Sequence, residues 1–179
     1  MKLLLDACVL YPTVMREVLF GAADLGLFSP LWSDRILEEW ARAAEKRGQV
    51  EETVARGEIA LARVAWPKAS IIVSEGQYDR FWLPDPNDIH VLAAAVVGNA
   101  DGIVTMNAKD FPRNILAEEG LQRFDPDTLL RSFYDQDGEG MARVANKVRQ
   151  TAEELSGESW PLRKLLRKAR LPRLGKALD

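Results

Sequence analysis

Up to about residue 124, short apolar runs alternate with stretches of helical periodicity, and this alternation limits the fold more than any other feature. "KLLL" at 2–5, "ASIIVS" at 69–74 and "GIVTM" at 102–106 are too short for helices and read as strands; "LQRF" at 121–124 is a further candidate. Between them, residues 13–26 carry Val14, Met15, Val18, Leu19, Ala22 and Leu25 at helical spacing and close on Gly26. "SPLW" at 29–32 reads as a loop or short extended piece. Ser33 then caps a helix with Ile36, Leu37, Trp40, Ala41 and Ala44 on one face. A third helix runs from about Glu51 to Ala65 and stops at Trp66-Pro67. A fourth runs from Asp88 to about Gly98, with Ile89, Leu92, Ala93 and Val96 inward. Strands alternating with helices predict an α/β fold on a parallel sheet. From Pro126 onward the pattern is helical only: Met141, Val144, Ala145, Val148, Ala152 and Leu155 form one stripe, residues 157–161 break it, and one basic amphipathic helix follows.

Composition removes several functional classes. The 179 residues, 47% apolar, suffice for one well-buried domain with room for a helical extension. The net charge of -3 gives no global sign of nucleic-acid binding, which leaves room only for a local basic patch. The single cysteine, Cys8, sits in an apolar stretch and reads as a buried thiol. The single histidine, His90, reads as a helix-surface or supporting residue. Histidine-based acid–base or nucleophilic catalysis therefore has little to work with. The residues before Asp6 are too few for a signal peptide, and the longest apolar run, Val91 to Val97, is far below a membrane span. A soluble, cytoplasmic protein without membrane contact is the expectation.

In a parallel α/β sheet, ligands bind at the edge where strands end and helices begin. Asp6 closes the first strand and lies on that edge. Asp85 and Asp88 lie before and in the first turn of a helix, and Asn107 and Asp110 follow the "GIVT" strand, so they share it. Asp101 precedes that strand and falls on the opposite edge. Taken singly, Asn87 or Asp88 can cap a helix and Asp110 can form a turn. Asp6 caps no helix directly, and a partly buried, unpaired carboxylate is costly. Taken together the acids repel, by about 4 kcal/mol per pair at ~4 Å and an effective dielectric of about 20. A divalent cation removes that penalty, and an oxygen-only donor set suits Mg²⁺ or Mn²⁺ rather than zinc. The second helix offers Glu38 and Glu39 on opposite sides of its apolar face, and periodicity does not choose between them.

Four segments in this order resemble the PIN-domain family of metal-dependent ribonucleases, including the VapC-type toxins of toxin–antitoxin pairs: "LLLDACVLYP", "SDRILEEWARA", "LPDPNDIHVLAAAVV" and "IVTMNAKDF". The resemblance covers roughly residues 1 to 130. It implies a three-layer α/β/α fold around a parallel sheet of about four or five strands, with C-terminal helices beyond. The family's acids fall on Asp6, on Glu39 (the glutamate followed directly by an apolar residue), on Asp88 with Asp85 as helper, and on Asp110. Position 107, often Asp in the family, is Asn here. The resemblance implies that Asp6, Glu39, Asp88 and Asp110 hold Mg²⁺ or Mn²⁺ for endonucleolytic RNA cleavage, with Thr105 and Asn107 steadying the site. It also implies a homodimer. The expected division is a nuclease domain over 1–132 and a helical extension over 133–179.

The final segment, 160–179, holds seven Lys or Arg and one acid, against 17 basic and 26 acidic residues elsewhere. Arg163, Lys164, Arg167, Lys168 and Arg170 are candidate contacts for RNA or an antitoxin, against a solvated helix face or docking on the protein's own acids. A phosphotransferase of the haloacid dehalogenase type would need Asp-x-Asp after the first strand, and Asp6-Ala7-Cys8 lacks the second acid. A toxin, a housekeeping RNA-processing nuclease and a non-catalytic interaction module all remain compatible with the sequence.

Overall fold

The computed structural model describes all residues from Met1 to Asp179. In chain order the elements are β1 (Lys2–Leu5), α1 (Ala7–Leu10), α2 (Thr13–Asp24), β2 (Ser29–Ser33), α3 (Asp34–Glu45), α4 (Gln49–Ala65) and β3 (Ser70–Ile71). There follow α5 (Ile89–Val97), β4 (Gly102–Val104), α6 (Arg113–Glu118), β5 (Gln122–Phe124), α7 (Pro126–Gln136), α8 (Gly138–Ser156), α9 (Leu162–Lys168) and α10 (Pro172–Ala177). The chain forms two compact units, one of Met1–Tyr11 with Ser29–Phe124, the other of Pro12–Phe28 with Asp125–Asp179.

The first unit holds a five-stranded sheet in the order β3-β2-β1-β4-β5. Every pair is parallel: Leu3 stands opposite Pro30 in β2 and Leu4 opposite Ile103 in β4, while Ile103 pairs with Arg123 in β5. The sheet is flanked by helices, as the alternation predicts. β1 is central because all three of its leucines are buried, with no polar face to offer water. Truncating Leu4 to Ala would cost about 2–5 kcal/mol. "SPLW", expected as a loop or short extended piece, is the strand β2. Pro30 lacks a donor, which disguises the strand, yet Leu31 and Trp32 are buried and Trp32 meets Trp66 edge-to-face at 6.1 Å. Ser33 caps α3 by accepting from the Ile36 amide at 3.2 Å.

α5 departs from its expected one-sided face. His90 to Ala95 are all buried, whereas Ile89 and Val96 are only partly covered. A helix covered on nearly every side carries no amphipathic stripe to read. His90 is therefore not a surface residue: it is 3% exposed.

In the second unit, Gly26 ends α2 with φ +76° while the Leu27 amide reaches back to the Ala22 carbonyl at 3.2 Å. Phe28 stacks on Phe133 at 5.6 Å. α2 and α8 approach so closely at Gly21 that a β-carbon there would run into Val144. The expected α8 stripe is buried at Met141 and Ala145, but Leu155 stands in solvent. The single basic helix expected at the end is two, α9 and α10. Arg170 adopts φ +62°, the Leu171 amide bonds the Leu166 carbonyl at 2.8 Å, and Pro172 starts the next helix. Asp127 caps that helix, accepting from the amides of Arg173 at 2.9 Å and Leu174 at 3.0 Å.

Candidate active site

The strand order reverses at β1: the chain moves from β1 to β2 and β3 on one side, then returns to place β4 and β5 on the other. The crevice at the carboxyl ends of β1 and β4 is thus the topological switch point, where open α/β sheets bind ligands. Asp6 leaves β1 there, and Thr105 leaves β4 beside it.

These two residues are joined. The Thr105 hydroxyl donates to Asp6 Oδ2 at 2.7 Å, and the Cys8 thiol donates to the same oxygen at 3.2 Å. The Asn107 amide N–H donates to Thr105 Oγ1 at 3.0 Å and the Met106 N–H to Cys8 Sγ at 3.3 Å. Asp6, 7% exposed, is therefore a buried carboxylate with hydrogen-bond partners. Cys8, expected as a buried thiol, is partly exposed and hydrogen-bonded to the site. It is half-buried, and burial, then the Asp6 charge, push it up to about 12, so it remains protonated and donates.

Asp85, Asp88 and Asp110 form the tightest group: one carboxylate oxygen from each lies within 4.8 Å of the others. Asp85 caps the short 3₁₀ turn Pro86–Asp88, accepting from the Asn87 N–H at 2.9 Å. Asp88 occupies the N-cap position of α5 but makes no capping hydrogen bond. The simplest structural use for Asp88 is thus taken by Asp85. Asp110 is positioned from two sides. The Asn107 side-chain amide donates to its Oδ2 at 2.7 Å, and Arg123 of β5 holds the Ala108 and Phe111 carbonyls, each at 2.8 Å.

The electrostatics tie the remaining acids to this triad. The Asp88 carboxyl is pushed up to about 6, first by burial, then by the charges of Asp6, Asp85, Asp110 and Glu39. Asp6 and Glu39 stand outside the 4.8 Å group, yet both act on its central member. Glu38 turns elsewhere. It meets Arg42 at 3.2 Å and Arg56 at 3.0 Å, and these hydrogen bonds hold its carboxyl down to about 2. Glu39 Oε1 lies 2.7 Å from His90 Nε2, at an angle outside hydrogen-bond geometry, and 3.7 Å from Arg35. The sequence reading missed two residues that support the site, Cys8 and Arg123, and left His90 as a helix-surface or supporting residue; neither Cys8 nor Arg123, on β5, carries a local signal.

The donor set is oxygen-only and mutually repulsive, which fits a hard divalent cation. The cations expected in the tail, Arg163, Lys164, Arg167, Lys168 and Arg170, are exposed on and just after α9 in the second unit. Arg163 pairs with Asp179; Lys164, Arg167, Lys168 and Arg170 form no ion pair. Lys168 and Lys164 lie 4.7 and 5.9 Å from the Trp160 ring centre.

No helix is long and apolar enough to cross a membrane. The family profile of the PIN domain matches residues 2–109, more than half of the chain. No curated protein and no solved structure matches it.

Proposed function

The chain belongs to the PIN-domain family, and from that premise we propose that it is a Mg²⁺- or Mn²⁺-dependent endoribonuclease acting as the toxin of a type II toxin–antitoxin pair. The observation that carries the nuclease reading is the convergence of Asp85, Asp88 and Asp110, one carboxylate oxygen of each within 4.8 Å of the others, with Asp6 at the end of β1 and Glu39 on α3 adding their charges to Asp88. Nothing in folding requires that convergence, and a divalent cation relieves it.

Asp85, Asp88 and Asp110 would hold the ion, with Asp6 and Glu39 completing the acidic wall. A bound cation supplies Lewis-acid stabilisation of charge developing on the phosphate and makes water easier to deprotonate. The protein's own part is positioning. Thr105 and Cys8 hold Asp6 in one rotamer, Asn107 and Arg123 hold Asp110, and the triad itself is half-buried. The catalytic segment is residues 1–132, with 133–179 as extension. The four cations without ion pairs, on and just after α9, are the contacts for RNA or antitoxin, and the working form is a cytoplasmic homodimer.

Calorimetric titration of Mn²⁺ into the parent protein and Asp88→Asn, paired with cleavage of single-stranded RNA, tests this reading. Mn²⁺ binding with cleavage by the parent, and loss of both in the variant, is the expected result. A parent that binds no Mn²⁺ would mark the chain as a non-catalytic interaction module.

A further inference from the structure

Trp82 is the one exposed aromatic residue of the chain, with 66% of its surface in water. Its neighbours explain the direction it takes. Phe81 and Leu83 are buried, and in an extended segment the residue between two inward side chains points out. The segment is held rather than loose: the Arg80 guanidinium lies 4.1 Å above the Phe81 ring and grips Glu119 with two hydrogen bonds, at 2.8 and 3.0 Å.

Beside Trp82 lies a basin of about 340 Å³, walled by Leu92 of α5 and by Asn114, Ile115 and Glu118 of α6. Each wall hangs from one member of the acidic triad. Trp82 is three residues before Asp85, so their Cα atoms are at most ~10 Å apart. Leu92 is four residues past Asp88, about 6 Å along the helix. Asn114 is four residues past Asp110. The lining has a flat apolar face in Trp82, with the buried Leu92 behind the basin. It also has a polar edge: the Asn114 amide offers a donor and an acceptor, and the Glu118 carboxylate an acceptor. Arg80 is neutralised by Glu119, which leaves Glu118 as the uncompensated charge. A phosphate is therefore a poor occupant, and an uncharged, flat, polar-edged group is a good one.

We infer that this basin is a subsite for one unstacked base of single-stranded RNA, next to the phosphate that a cation held by Asp85, Asp88 and Asp110 would engage. It rests on the nuclease reading for the direction of the strand. Trp82 supplies the stacking platform, and Asn114 with Glu118 reads the base edge. Stacking on aromatic side chains tolerates every base, so the platform gives affinity and the edge gives preference.

The test is fluorescence anisotropy of labelled eight-nucleotide homopolymers of A, C, G and U with the full chain, Ca²⁺ replacing Mn²⁺. Trp82→Ala is expected to weaken binding about tenfold or more, and Trp82→Phe to stay within about threefold of the parent. Asn114→Ala is expected to change the ranking among the four homopolymers. Mn²⁺ affinity of Trp82→Ala should equal that of the parent. Equal RNA affinity of Trp82→Ala and parent, equal losses in the Ala and Phe variants, or no binding by the parent each overturn the subsite. A parent that binds RNA through Trp82 yet never cuts it defeats the nuclease reading and supports the subsite. A parent that cuts RNA, with Trp82→Ala unchanged in affinity, defeats the subsite alone.

Discussion

Thr105 hands its hydroxyl hydrogen to Asp6 across 2.7 Å, joining the ends of two neighbouring parallel strands that lie 99 residues apart in the chain. The bond is buried, so removing its donor leaves Asp6 Oδ2 with the weaker thiol alone. Thr105→Val keeps the shape and is expected to cost about 1–3 kcal/mol of stability, with RNA cleavage reduced about tenfold or more as Asp6 loses its fixed rotamer. Thr105→Ser restores the hydroxyl and is expected to restore both. Denaturant melts and single-turnover cleavage measure the pair, and a Val variant indistinguishable from parent in both would remove Thr105 from the site.

Asp88 makes stability and ion binding depend on pH with a definite sign. Its carboxyl rises from the ordinary 3.8 to about 6. Between those values the folded chain keeps a proton that the unfolded chain has lost. Its stability contribution therefore falls as pH rises through that window, and the penalty is complete above about 6. An ion at the triad needs the ionised form. Added Mn²⁺ is expected to raise the melting temperature near pH 7.5 and to add little near pH 4.5. Calorimetric scans at fixed Mn²⁺ would show this, and an equal shift at both pH values would contradict it.

Adjacent glutamates on α3 should behave oppositely. Glu39 acts on Asp88, whereas Glu38 is committed to Arg42 and Arg56. Glu39→Gln is expected to lower cleavage by an order of magnitude or more at saturating Mn²⁺, and Glu38→Gln to leave it within about twofold. Cleavage rates of the two variants side by side decide it; the reverse ranking would reassign the acid.

The α9 cations are separable from the fold. Leu165 and Leu166 anchor that helix, while Lys164 and Lys168 lie exposed against Trp160. Lys164→Glu with Lys168→Glu is expected to leave the melting temperature within a few degrees and to reduce the slope of log affinity for RNA against log salt concentration. A slope equal to the parent's would remove these residues from the RNA path.

The fold and the site were legible to different depths. β1 and β4 declare themselves because strands buried on both faces are uninterrupted apolar runs. β2 hides behind Pro30, whose missing donor reads as a loop. The edge rule gathers Asp6, Asp88 and Asp110 in advance because it needs only strand and helix ends. It cannot see that Asp85 and Asp88 divide the labour of capping and clustering, since that depends on one turn of 3₁₀ helix. Nor can it choose Glu39, which needs the packing of α3 against its neighbours. Cys8 and Arg123 escape the rule because neither is an acid: the Cys8 thiol bonds Asp6 two residues away, and Arg123 reaches the Ala108 and Phe111 carbonyls from β5, while His90 meets Glu39 of α3, distant in sequence.

The crossing of β1 to β4 has a consequence for when activity can exist during synthesis. Asp6 leaves the ribosome early, but its hydroxyl partner Thr105 follows 99 residues later, and the Asp110 turn and Arg123, which pins that turn, come later still. An emerging chain therefore carries isolated acids without a wall, and on the proposed reading a fragment that ends before Arg123 is expected to be inert. The acidic edge thus closes late in synthesis, and a nuclease built this way would gain its activity only when most of its chain has been made.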